Sequence, residues 1–324
     1  MSQVAEAPAA AEPRGGRGLA VFFAVAGGLL LLRLLLAFFT VPSARVSLIL
    51  SVLVTAVFVG APIYGLFRGA SFPWTWKSAL AVLGGGALLH VLALISVRGL
   101  PEVGFATVLV SSIGQFGIIV WCLGLGAVLS LLIRDKNLLL PIAIFLAGFD
   151  AFLVLTPGGV VQQLMTNQPT YAESVLVQAP AVRTTPTTPE EEGIRLTTFA
   201  QIGPADLLFS ATFFIALFKF RMRVRETARW LIPVLVVYMF IVLAPIPGSA
   251  MLPALVPIGL TLLIVNAREF KMSSQEKAAT AGVAVIAVAL AGYALWLRAN
   301  QPPPEPEYGG ELPPGYEQQE QTGA

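Results

Sequence analysis

Cysteine and histidine each occur once in this 324-residue chain, as Cys122 and His90, and charged residues make up only 12% of it. A single cysteine excludes intrachain disulfides and Cys-rich zinc sites, and one histidine cannot build a metal centre, so neither a metal nor another cofactor is expected. The scarcity of charge excludes a soluble domain with an ordinary ionic surface. No basic stripe of the kind that binds nucleic acid is present either. Apolar residues fill the chain instead, at 56% of the total, with a mean hydropathy of +0.80. That composition predicts a polytopic integral membrane protein built of helices, because a helix satisfies its own backbone groups within lipid.

Apolar runs bounded by charge or by Pro and Gly give nine candidate spans: 18–40, 46–67, 78–97, 105–133, 137–156, 202–219, 229–246, 249–266 and 278–297. The first is too long for the core of a signal peptide and reads as a retained helix. Before it, residues 1–17 form an Ala/Pro/Gly-rich extension expected to be disordered, and residues 298–324 form a Pro/Glu/Gln-rich tail of the same kind. The longest interior hydrophilic piece, 158–200, ends in RTTPTTPEEEG, another stretch of disorder composition. The expected organisation is thus an N-terminal transmembrane bundle over 18–133, a core over 134–266 and one further helix over 267–297.

Cytoplasmic loops of membrane proteins carry the excess of Lys and Arg. With nine spans, fourteen basic residues fall on the N-terminal side and five on the other, with Arg33 inside a span. The N-terminus is therefore predicted cytoplasmic and the 158–200 loop external. The RMRVR run at 221–225 reads as part of this positive-inside anchor.

Three short stretches carry the chemistry: GFDAFLVLTP around Asp150, IGPADLLFS around Asp206, and LPALVPIG around Pro253, Ala254 and Leu255. An ionisable group at membrane depth usually faces a partner or a wet cavity and marks function. Asp150 falls near the end of the fifth span and Asp206 near the start of the sixth, so an antiparallel pair of neighbouring helices would hold both at similar depth. Two carboxyl groups in one desolvated site share a proton and can act as acid and base together, as in aspartic proteases. Pro253 and Pro257 lack N–H groups and interrupt helical pairing, so the freed backbone must line protein or a cavity and could pair with an extended substrate.

The order of these motifs resembles the presenilin and signal peptide peptidase family of intramembrane aspartyl proteases, whose pattern runs YD, then GxGD, then PAL. The resemblance covers roughly residues 137–266. It implies a presenilin-like bundle, Asp150 and Asp206 as the catalytic pair, and Pro253, Ala254 and Leu255 as the element beside the active site that helps to bind substrate, with Gly203, Ala205 and Phe149 at neighbouring motif positions. It implies no cofactor. Its partners would be transmembrane-helix or signal-peptide substrates within the bilayer, in the plasma (inner) membrane of a prokaryote. Three departures stand out. Phe149 occupies the place of the Tyr, which removes a phenolic donor. Gly203, Pro204, Ala205 and Asp206 read GxAD, with a methyl where the second Gly belongs. Four spans precede the first Asp where the family has five, and one follows the PAL helix. The charge count matches the signal peptide peptidase branch, whose substrates have a cytoplasmic N-terminus.

Other polar residues within spans have structural readings. His90 is expected as a packed, hydrogen-bonded helix residue, Gln115 as a hydrogen bond between helices, and Arg33 as a side chain that snorkels to the interface. Two other functions stay open: a proton-coupled transporter using Asp150 and Asp206 as a relay, and a presenilin-like binder of membrane helices with impaired turnover. The chain has no internal repeat of the kind that transporters display. A working dyad is expected to give a bell-shaped dependence of cleavage rate on pH, because one proton must be shared, and a flat profile across the acid range would count against it.

Overall fold

A computed structural model describes residues 16–101, 103–167, 174–187, 193–243 and 253–301. The N-terminal extension up to residue 15, the tail from residue 302, two pieces of the long loop (168–173 and 188–192) and the segment 244–252 lie outside the described residues.

Among the described residues ten α-helices form, nine of them on the apolar runs and α6 in the hydrophilic piece: α1 (Arg17–Phe38), α2 (Ala44–Gly69), α3 (Trp76–Val97), α4 (Phe105–Leu132), α5 (Leu139–Leu155), α6 (Val160–Asn167), α7 (Pro204–Lys219), α8 (Val224–Leu243), α9 (Leu255–Asn266) and α10 (Ser274–Ala299). Seven are long and apolar enough to cross a membrane: α1 to α4, α5 with its leading turn, α8 and α10. The other two expected spans, 202–219 and 249–266, contain the shorter helices α7 and α9. Their 16 and 12 residues rise about 24 and 18 Å, against a hydrocarbon core of about 30 Å. The outward faces are apolar. Leu88, Leu92 and Ile95 on α3 and Val285 and Val288 on α10 are all exposed, as lipid-facing side chains are.

Glycine sets the closest helix approaches. A Cβ on Gly86 would lie 2.4 Å from the Trp121 nitrogen, and one on Gly124 would lie 2.3 Å from the Leu83 nitrogen, so α3 and α4 pack backbone to backbone. Small residues serve this purpose in membranes, where dispersion rather than water drives helix association. The opposite side of α4 meets α7 in the same way, with Gly126 against Ala211, Thr212 and the Leu208 carbonyl. His90 lies in the α3–α4 seam, its Nδ1 3.2 Å from the Gly114 carbonyl oxygen, which matches its reading as a hydrogen-bonded packing residue. α1 and α2 pack on each other and reach α4 and α7, while α5 lies mainly against α9 and α10.

The long loop is not wholly irregular. Among the described residues four short strands form: β1 (Thr40–Val41), β2 (Val177–Pro180), β3 (Arg183–Thr184) and β4 (Thr198–Ile202). β1 pairs in parallel with β3, with Thr40 opposite Arg183, and β2 pairs antiparallel with β4, with Val177 opposite Ile202. These short pairings are additions to a mostly helical membrane fold. The loop is also tied to the helices beneath it. Gln115 on α4 donates to the Leu176 carbonyl at 2.9 Å and accepts from the Gln178 N–H at 2.9 Å. On α2, Ser51 Oγ accepts from the Val182 N–H at 2.8 Å, and Ser47 Oγ donates to the Val182 carbonyl at 2.5 Å. Arg33 corrects its sequence reading: it is 3% exposed and donates to the Gln178 carbonyl. A guanidinium that finds a backbone acceptor at the loop gains by turning inward, where a snorkelling one would face the headgroups.

Gly117→Ala is expected to destabilise the fold by about 1–3 kcal/mol through overpacking, because its Cβ would lie 2.8 Å from the His90 nitrogen. Gly27→Ala, whose methyl meets nothing within 4 Å, is expected to be neutral or stabilising by up to about 1 kcal/mol. Thermal unfolding in detergent compares the two.

Candidate active site

The first residues of α9 come to the Asp150 carboxylate. The Leu255 N–H donates to Asp150 Oδ2 at 2.9 Å. The opening N–H groups of a helix have no partner inside the helix and favour a negative neighbour. At α9 the residue in the N-cap position is Ala254, which has no side chain able to cap. Asp150, reaching across from α5, supplies the missing acceptor. One residue earlier, the Pro253 carbonyl accepts from the Tyr238 hydroxyl on α8 at 2.8 Å. Pro253 and Leu255 are both buried.

Asp206 enters from the opposite direction, in the first turn of α7. Strand β4 runs directly into Gly203, the N-cap of this helix, with Pro204 at its first position, where a missing N–H costs nothing. The Asp206 N–H donates to the Gly203 carbonyl at 3.1 Å. A Cβ on Gly203 would sit 3.0 Å from Asp206 Oδ2, so the absence of a side chain at residue 203 leaves room for the carboxylate. Cys122 Sγ on α4 donates to the Pro204 carbonyl at 3.4 Å, which ties the start of α7 to the centre of the bundle. Asp150 and Asp206 lie within electrostatic reach of each other.

The expected route to this proximity was a packed antiparallel pair, and the packing differs. The main partner of α7 is α4, while α5 packs against α9 and α10. The short helix α9 touches α5, α8 and α7 and so joins the two carboxylate-bearing helices. Its far end is held as firmly as its start. Buried Asn266 donates to Thr227 Oγ1 at 2.9 Å and accepts from the Arg223 N–H at 3.2 Å.

Of the residues singled out from the sequence, Asp150, Asp206, Gly203, Pro253, Ala254 and Leu255 fall in this constellation. Phe149 and Ala205 do not point into it. Phe149 is 38% exposed and stacks on Phe145, with ring centroids 5.6 Å apart and planes at 10°. Ala205 is exposed, so the methyl that replaces glycine in the motif lies away from the carboxylate contacts. Tyr238 was missed. Its signal was a phenol in the apolar run WLIPVLVVYMFIVL, where a buried hydroxyl needs a partner. From α8 it brings a phenol to the Pro253 carbonyl, two residues before the N–H that Asp150 accepts from, although the residue preceding Asp150 is Phe. Among the described residues, no three His, Cys, Asp or Glu side chains gather in a group suited to a metal ion.

Comparison with protein-family models, with curated proteins and with solved structures finds no match to this chain.

Because Asp150 serves as the acceptor for the start of α9, Asp150→Ala is expected to raise amide hydrogen exchange at residues 255–258. Asp206→Ala, which removes no acceptor from α9, is expected to leave exchange there unchanged. Mass-spectrometric exchange on the detergent-solubilised protein reads both.

Proposed function

We propose that this chain is an intramembrane aspartic endopeptidase of the presenilin and signal peptide peptidase type, which hydrolyses peptide bonds within transmembrane helices or remnant signal peptides. The observation that carries the reading is the hydrogen bond from the Leu255 N–H to Asp150, which joins two of the three motifs, with Asp206 of the third in electrostatic reach of Asp150. Either Asp alone has an ordinary explanation at a helix end. Two carboxyl groups and a proline-interrupted backbone in one place do not.

In this reading Asp150 and Asp206 share one proton. The ionised carboxylate removes a proton from water as the water oxygen attacks the scissile carbonyl carbon, and the protonated partner donates to the carbonyl oxygen. The tetrahedral adduct then breaks its C–N bond, with the departing nitrogen taking a proton from the pair. A substrate helix hides its peptide groups in its own hydrogen bonds, so it must unwind locally before attack. The Pro253–Leu255 segment, adjoining both Tyr238 and Asp150, is the place where an extended stretch would lie. Given a cytoplasmic N-terminus, the expected substrates enter with their own N-terminus in the cytoplasm, as type II anchors and remnant signal peptides do.

Purified protein reconstituted with signal-peptide and type II anchor substrates is expected to cleave them, with products read by mass spectrometry. Asp150→Ala and Asp206→Ala are each expected to lower the rate at least about 100-fold, and Asp150→Asn, which keeps an oxygen acceptor for the Leu255 N–H, to do so while the protein keeps its thermal transition. Binding of these helices without cleavage by the wild type would instead identify a helix-binding protein. Neither binding nor cleavage would sink both readings and leave proton-coupled transport to be assayed.

A further inference from the structure

At the opposite end of α7 from Asp206 lies a cavity of about 500 Å³, within the size range of small-molecule sites. Three arginines line it, Arg68 from the end of α2 and Arg225 and Arg229 from the start of α8, together with Phe67, Phe218 and Ile232. No acidic residue is among its walls. Among the described residues, none of the three arginines pairs with a carboxylate, and Glu226, the acid next to Arg225, is engaged by Arg223 at 3.4 Å. Arg68 is held in place by Tyr64: its Nη1 donates to the phenol oxygen at 3.3 Å, and its guanidinium carbon lies 5.9 Å from the ring centroid.

We propose that this cavity binds the phosphate headgroup of an anionic phospholipid, with the lipid's apolar body against Phe67, Phe218 and Ile232. Arginine presents a planar fork of donors that matches phosphate oxygens, and here three arginines from two helices line one cavity. The mixed lining separates this from a site for a small free anion, which would have no use for the aromatic and aliphatic wall. Position agrees as well: all three arginines belong to the side that holds the positive excess of the chain, where anionic lipids of the cytoplasmic leaflet meet basic residues. From the sequence, Arg225 was the last residue of a general topological anchor. In the fold it becomes one wall of a defined pocket. The inference is independent of the catalytic reading.

The test is binding of a fluorescent phosphatidylglycerol to the full purified chain in detergent, against phosphatidylcholine with the same acyl chains and against inorganic phosphate as competitor. The wild type is expected to prefer phosphatidylglycerol. Arg68→Gln, Arg225→Gln and Arg229→Gln are each expected to weaken that binding roughly fivefold, the effect of one basic residue at an anionic surface. Lys77→Gln and Arg134→Gln do not line the cavity and are expected to leave it unchanged. Equal losses from these two controls would overturn the site in favour of diffuse surface charge. Displacement of bound lipid by millimolar inorganic phosphate would overturn the lipid assignment. Should the variants not fold, the wild type alone decides: its thermal transition rises with phosphatidylglycerol and not with phosphatidylcholine, and equal shifts would sink the proposal.

Discussion

Backbone that is neither helix nor closed sheet cannot sit at membrane depth unless every N–H and C=O finds a partner, and an unmet group there costs several kcal/mol. In the described part of the segment between the two carboxylate-bearing helices, main-chain groups find such partners in side chains of the packed helices. Arg33, Gln115, Ser47 and Ser51 each bond to main-chain groups between Leu176 and Val182. The pairing of β2 with β4 satisfies further main-chain groups. Because β4 continues without a break into Gly203 and α7, this chain of bonds helps to set where α7, and Asp206 in its first turn, begins. Polar residues that looked isolated in the sequence thus help to place a carboxylate far from them in the chain.

On the other side of the site the constraint falls on a helix of only 12 residues. A helix so short has little stability of its own, and α9 is held by its ends. Asp150 accepts from its first residue, and Asn266 fastens its last to Thr227 and the backbone at Arg223. Gly259 lets its middle approach α5, where a Cβ would lie 3.1 Å from the Ala143 carbonyl oxygen. The carboxylate of Asp150 therefore serves a structural purpose as well as its proposed chemical one. Its bond to Leu255 orders the segment that adjoins it.

Helices were legible in the sequence because length and apolarity alone decide them, and the boundaries at Arg17, Trp76 and Phe105 fall within two residues of the apolar runs. The three motifs were legible too, since carboxylates and paired prolines are rare at such depth. Their meeting point had a different cause from the one expected. Adjacency in the chain suggested α5 packed on α7, whereas glycine contacts that no pattern ranks drew α7 to α4 and α9 to α5. Arg33 and Tyr238 escaped for the same reason. Each is decided by a partner more than ten residues away, Gln178 for one and Pro253 for the other, and local composition has no record of such a partner. The short strands were hidden because two- to five-residue pairings carry no usable period.

The contact between Gly148 on α5 and Ala287 on α10, where a Cβ would come within 2.6 Å of the Ala287 Cα, has a bearing on how the molecule is made. Helices enter the bilayer in order of synthesis, and α5 emerges long before its two main neighbours, α9 and α10. Between those events the face bearing Gly148 and the opposite face bearing Asp150 must remain against lipid or provisional partners. Contacts of such long sequence separation are slow to form. Assembly of this half of the protein is therefore a late step, and a chain arrested before residue 274 would carry every residue of the motifs and still lack the surface that closes over the back of α5.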